Sequence, residues 1–132
     1  AAMAKSEKVT LNGEEYLKID VSETAEAYQI FRLTSKIFSN IGSETSKIVL
    51  TVYSDSDEEI PFYVYAKYKK DSVSAQLIST TLKKGENVID LSVAYTNWRF
   101  KGNIEYLRPR LGSEKVNPAR TIYIKKIAVY AK

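Results

Sequence analysis

Short runs of alternating apolar and polar residues recur along this chain. In Glu15–Val21, Leu17, Ile19 and Val21 share one parity and Tyr16, Lys18 and Asp20 the other. A strand with one buried face requires that alternation. Tyr28–Leu33 reads as a second strand. Lys47–Tyr53 is a third, sending Ile48, Leu50 and Val52 one way and Val49, Thr51 and Tyr53 the other. In Phe62–Lys69 the better core set is Phe62, Val64, Ala66 and Tyr68, which leaves Tyr63, Tyr65 and Lys67 in a row on the opposite face. Val73–Leu82 is weaker in pattern. Asn87–Tyr95 turns Ile89, Leu91 and Val93 inward, and Ile104–Leu111 and Thr121–Tyr130 complete the series.

Turn signals separate these runs: Asn40 and Gly42 in 37–43, the acidic Ser54–Glu59, Lys83–Glu86 around Gly85, and Gly112–Arg120 with Pro118. Only Ser22–Ala27 has helix-like or loop character. The last strand breaks its own period, because Ile122 and Ile124 have one parity and Ile127 and Val129 the other. One extra residue at Lys125–Lys126, a β-bulge, would return all four to the core side. Eight or nine strands without a long helix predict an all-β fold. Alternation rather than continuous apolar runs predicts antiparallel pairing, hence a two-sheet β-sandwich of jelly-roll type.

A length of 132 residues fits one domain with one core. Residues 1–8 read as a remnant and linker, and 9–132 as the sandwich. No apolar run approaches the ~20 residues that span a bilayer. There is no cysteine and no histidine. That excludes disulfides, thiolate chemistry and serine–histidine or cysteine–histidine nucleophile pairs, and leaves a zinc site only carboxylates. The net charge of +4 is mild and no basic cluster dominates, so nucleic acid is not an expected partner. Tyrosine supplies 10 of the aromatic residues against 4 Phe and 1 Trp. Its apolar body and polar tip suit half-exposed sheet faces and wet binding surfaces.

The candidate chemistry concentrates in Trp98–Gly112. Beyond the single tryptophan, alternation puts Tyr106, Arg108 and Arg110 on one face and Leu107, Pro109 and Leu111 on the other. The C–H face of a sugar ring packs on an aromatic ring, and its hydroxyl rim needs donors and acceptors in fixed positions. Trp98 offers the largest ring. Arg108 and Arg110 offer planar donor forks, and Asn97 and Gln29 offer amides. Tyr63, Tyr65 and Lys67 form a second candidate row. Each has a structural rival: Trp98 as a plug at one end of the sandwich, the tyrosines as cross-strand packing, the arginines as a solvated face. Catalysis by a carboxylate pair would need Asp20, Asp90 or Glu105 brought together, and nothing in the sequence pairs them. The acidic loop Ser54–Glu59 reads as a solvated hairpin turn rather than a calcium loop, lacking the glycine and distal glutamate of an EF-hand.

The order from Gly85-Glu86-Asn87-Val88-Ile89-Asp90-Leu91, through the Tyr/Arg strand, to Thr121-Ile122-Tyr123-Ile124-Lys125-Lys126-Ile127-Ala128-Val129-Tyr130 resembles jelly-roll carbohydrate-binding modules, those of families 4, 9, 16 and 22 broadly taken. The resemblance is clear over about residues 83–132. It implies a non-catalytic module that holds an appended glycoside hydrolase on soluble plant polysaccharide, with xylan first, then β-glucan or mannan. It also implies a secreted or cell-surface monomer with no required cofactor. It puts the ligand on a concave sheet, with Tyr106, Arg108 and Arg110 from the penultimate strand and Tyr63 and Tyr65 from a middle one. The family's last strand usually carries an Asp that helps hold a structural calcium; Lys125 and Lys126 stand there instead, which disfavours a cation at that place and leaves Asp20 or the acidic loop as the other places for one. The alternative is a structural or adhesion sandwich of an extracellular protein with no glycan cleft.

Overall fold

The computed structural model describes residues 4–23, 29–36, 38, 45–69, 74–91, 104–112 and 117–131. Among them are nine strands: β1 (Ala4–Leu11), β2 (Glu14–Val21), β3 (Gln29–Ile30), β4 (Thr45–Ser54), β5 (Ile60–Tyr68), β6 (Ser74–Leu82), β7 (Gly85–Asp90), β8 (Ile104–Leu111) and β9 (Arg120–Ala131). They build two antiparallel sheets. One has the order β1-β2-β9-β4-β7 and the other β3-β8-β5-β6. The chain is an all-β sandwich, as its alternation predicts.

The core lies between the sheets and follows the predicted parities. Ile48, Leu50 and Val52 of β4, and Phe62, Val64, Ala66 and Tyr68 of β5, are fully buried. They meet Ile19 and Val21 of β2, Leu107 and Leu111 of β8, and Ile122 and Ile124 of β9. The bulge expected in β9 is present. Thr51 pairs with Lys126 and Val52 with Ile124, so Lys125 is the extra residue. Beyond it Ile127 and Val129 pack on the same core. A similar shift in β6, between the pairs Val64–Ile78 and Tyr65–Gln76, turns both Leu77 and Ile78 toward the core. This bulge is why the β6 pattern is weak in sequence.

Two expectations need correction. Residues 4–8, read as linker, form the first half of β1 and pair with β2 from Ala4–Val21 to Lys8–Leu17. The strand is mostly exposed, which is how an edge strand escapes detection by hydrophobic period. The second predicted strand, of which Tyr28 lies outside the described residues, is not continuous to Leu33. Only Gln29 and Ile30 form a ladder with β8, followed by an isolated bridge from Leu33 to Leu107. Pro109 explains the break. Its carbonyl accepts from Phe31 N–H at 3.2 Å, so its nitrogen faces the same neighbour and has no hydrogen to give. The readings made for 1–3, 24–28, 37, 39–43, 73, 92–103 and 113–116, Asn97 and Trp98 included, lie outside the described residues.

Candidate functional site

The outward face of the four-stranded sheet carries the tyrosine and arginine rows side by side. In the pairing of β5 with β8, Tyr63 stands opposite Arg110, Tyr65 opposite Arg108 and Lys67 opposite Tyr106. Their neighbours Val64, Ala66, Leu107 and Pro109 all point into the core. Period-two alternation in both strands therefore assembles six predicted residues on one surface. On β6, Gln76 extends the row, its carboxamide oxygen accepting from the Tyr65 hydroxyl at 3.2 Å.

The arginines lie along this surface rather than standing off it. The Arg110 guanidinium carbon is 4.4 Å from the Tyr65 ring centroid and that of Arg108 is 5.5 Å from it. Stacking of this kind orients a planar donor fork and directs its edge N–H groups away from the ring. The Nε of Arg108 is buried without a hydrogen-bond partner. Lys67 is more committed. Its ammonium donates to the Tyr68 carbonyl at 2.9 Å and lies 3.4 Å from Glu105.

Arg32 joins this surface, although the sequence reading does not include it among the site residues. Its guanidinium carbon lies 4.4 Å from the Tyr106 ring centroid. Parity contains the signal: Phe31 and Leu33 are buried and Arg32 between them is exposed. The same parity corrects Gln29, expected as a ligand-binding amide. Gln29 shares the core parity of Phe31 and is fully buried. Its amide donates to the Ser22 and Pro118 carbonyls at 2.8 and 2.6 Å, and its oxygen accepts from Arg120 at 3.1 Å. Gln29 closes one end of the sandwich and cannot reach a ligand. Burial lowers the pKa of Arg120 in this cluster.

A second aromatic group lies on the outer face of the other sheet. Tyr16, Tyr53 and Tyr123 form a triangle with ring centroids 5.9 to 6.4 Å apart. A cavity of about 290 Å³ lies beside them, lined also by Asn12 and Asp55. Several charged groups next to these rings are paired with one another. Lys125, the bulge residue, sits 3.1 Å from Glu14 and 2.8 Å from Glu86. Those contacts raise the Lys125 pKa and lower that of Glu14. The Tyr16 hydroxyl donates to Glu14 at 3.2 Å. Rings turned toward one another and charges already matched are the mark of cross-strand packing.

The three strand-borne carboxylates considered from the sequence, Asp20, Asp90 and Glu105, are not brought together as a pair. Glu105 belongs to the four-stranded sheet, whereas Asp20 and Asp90 belong to the other. Asp20 on β2 accepts from Thr121 and is three strands away from Asp90 on β7. Three strand spacings are at least about 14 Å, beyond the ~5–9.5 Å that glycoside hydrolysis uses. Among the described residues no group of three or more Asp and Glu could hold a metal ion. In the acidic loop, Asp57 pairs with Lys84 at 2.7 Å.

The architecture matches that of solved carbohydrate-binding modules. A family 28 module specific for non-crystalline cellulose superposes with a TM-score of 0.68 at 8% identity, over 96% of this chain and 82% of its own. A family 11 module from Clostridium thermocellum, in complex with a β-1,3-1,4-mixed-linked tetrasaccharide, gives 0.61 at 14% identity, over 97% and 82%. The N-terminal modules of a Clostridium thermocellum endo-1,4-β-D-xylanase, a family 22 binding module with a family 10 glycoside hydrolase module in complex with xylohexaose, give 0.60 at 10% identity. There the match covers 100% of this chain and 25% of the longer one. The fold is thus the β-sandwich of carbohydrate-binding modules. No family model and no curated protein matches the sequence.

Proposed function

We propose that this domain is a non-catalytic carbohydrate-binding module whose ligand lies across β8 and β5, on Tyr63, Tyr65, Tyr106, Arg108, Arg110 and Arg32. The observation that carries the reading is the shared outward face of three tyrosines and three arginines, in a fold also found in modules solved with oligosaccharides bound. Ring faces supply apolar area for C–H groups, and guanidinium edges and tyrosine hydroxyls address hydroxyls. A few directional polar groups set into aromatic surface suit a small glycan segment.

The favoured ligand is a soluble polysaccharide chain, xylan first, then β-glucan or mannan. The module would act as a secreted or cell-surface monomer and hold a covalently linked glycoside hydrolase on its substrate. The direct test is affinity electrophoresis through gels containing each polysaccharide, with wild type beside Tyr106→Ala and Trp98→Ala. Retardation of the wild type, reduced in the variants, supports the reading. No retardation on any glycan would overturn it in favour of a structural or adhesion sandwich.

A further inference from the structure

We infer that the glycan held on this face carries uronate carboxylates. The inference rests on the binding reading above and adds the charge of the ligand to it. Its basis is the pairing of Arg32 with Arg108 across two strands, with no ion pair to either among the described residues.

The pairs Gln29–Leu111, Ile30–Arg110 and Leu33–Leu107 share one register. That register puts Arg32 directly opposite Arg108, and both project from the same surface. Like charges across a strand pair are destabilising. A carboxylate between them would relieve this, but among the described residues neither Arg32 nor Arg108 makes an ion pair. Arg110 adds a third guanidinium one pair further along. Glu105, on the same strand as Arg108, is paired with Lys67. Arg32 and Arg108 therefore set two guanidinium groups side by side on this surface, with Arg110 beside them.

The way these cations are held matters as much as their number. With their guanidinium carbons 4.4 Å from the Tyr106 and Tyr65 ring centroids, Arg32 and Arg110 are held against aromatic rings. Arg108 has a buried Nε with no partner, and leaving a charged donor unsatisfied costs more than leaving a neutral one so. Planar donors in fixed orientation match a carboxylate bidentately, whereas a neutral hydroxyl uses one donor at a time. Rings for the sugar and forks for an acid, alternating along adjacent strands, define a ligand in which pyranose rings and carboxylates alternate at short range. A uronate has both in one residue. It can enter as a branch on a neutral chain, as in glucuronoxylan, or as the backbone, as in polygalacturonate.

The test alters the ligand before the protein. Binding to glucuronoxylan and to polygalacturonate is measured by calorimetry before and after reduction of their carboxyl groups to primary alcohols, with polyglutamate as a polyanion lacking sugar rings. The expectation is that reduction weakens binding about tenfold or more for at least one polymer. The polymer that responds identifies branch or backbone as the source. In Arg32→Gln and Arg108→Gln the same reduction should matter by less than about twofold, while in Tyr106→Ala both forms weaken and their ratio persists. Equal binding before and after reduction overturns the inference and leaves the saccharide reading standing. Binding of polyglutamate as tight as that of the polyuronates also overturns it, since charge alone would then suffice. Absence of binding to any glycan, reduced or not, removes the saccharide reading and the inference with it.

Discussion

The Arg110 guanidinium lies over the ring of Tyr65, 4.4 Å from its centroid, and is carried there by the neighbouring strand. Tyr65 is also tied by its hydroxyl to Gln76 on the other side. One tyrosine thus links three strands on a surface that faces away from the core. Neither contact is needed to close the sandwich, whose apolar residues lie on the opposite side of the sheet.

Replacing Tyr65 with alanine should therefore separate binding from stability. Glycan affinity is expected to fall roughly tenfold or more, while the loss of an outer-face pair costs only about 1 kcal/mol of folding stability. Calorimetry with oligosaccharide and urea denaturation measure the two. A large stability loss with affinity retained would mark Tyr65 as a packing residue.

Gln29→Ala should show the reverse. The substitution strips partners from the Ser22 and Pro118 carbonyls and from Arg120. Only Gln29 itself is fully buried there, and the loss of its three part-buried hydrogen bonds is expected to cost about 1–2 kcal/mol, seen as a lower urea midpoint at unchanged slope. Glycan retardation of the folded fraction should persist, because Gln29 is buried away from the face.

Gly112→Ala tests the same end of the sandwich by geometry. Gly112 has φ of +100°, and a Cβ there would collide with the Asn117 carboxamide, itself buried. Backbone strain and steric overlap together are expected to remove about 2 kcal/mol or more of stability. Near-wild-type melting of this variant would show that Asn117 and Arg120 give way freely.

The Glu14–Lys125–Glu86 bracket predicts a pH signature. Lys125 lowers the Glu14 pKa from its ordinary 4.5, so this contribution is present above pH 4.5 and is lost as pH falls through the folded value. The Lys125 pKa is raised from its ordinary 10.5 by the two glutamates, so its contribution is present below that pH and is lost as pH rises through the folded value. The difference in melting temperature between wild type and Lys125→Met should be constant between those limits and close toward acid. Because the groups are exposed, the difference should be small and shrink with salt. A difference that grows in acid would contradict the assignment.

Most of the fold is legible in the parity of single strands. Parity correctly divides β4, β5 and β8 into core and outward rows, and the phase shift between Ile124 and Ile127 announces the β9 bulge. It does not reveal β1, because an edge strand that buries little leaves no alternation to detect. Gln29 shows amide chemistry pointing one way and parity the other. Phe31 and Leu33 set a phase that places Gln29 inside and Arg32 outside, and burial follows that phase. What no single strand encodes is register. The opposition of Arg32 and Arg108, and the stacking of Arg110 on Tyr65, arise only when three strands are laid in one sheet.

The central claim is that a saccharide chain lies on the β8–β5 face. The measurement that tests it most directly is a heteronuclear NMR titration with xylo-oligosaccharides, with and without a glucuronate branch, and with β-gluco-, manno- and galacturono-oligosaccharides. The account predicts that amide and side-chain resonances of Tyr63, Tyr65, Tyr106, Arg32 and Arg108 shift saturably, while those of Tyr16, Tyr53 and Tyr123 do not. Shifts confined to the Tyr16–Tyr53–Tyr123 surface, or no shifts at all, would contradict it.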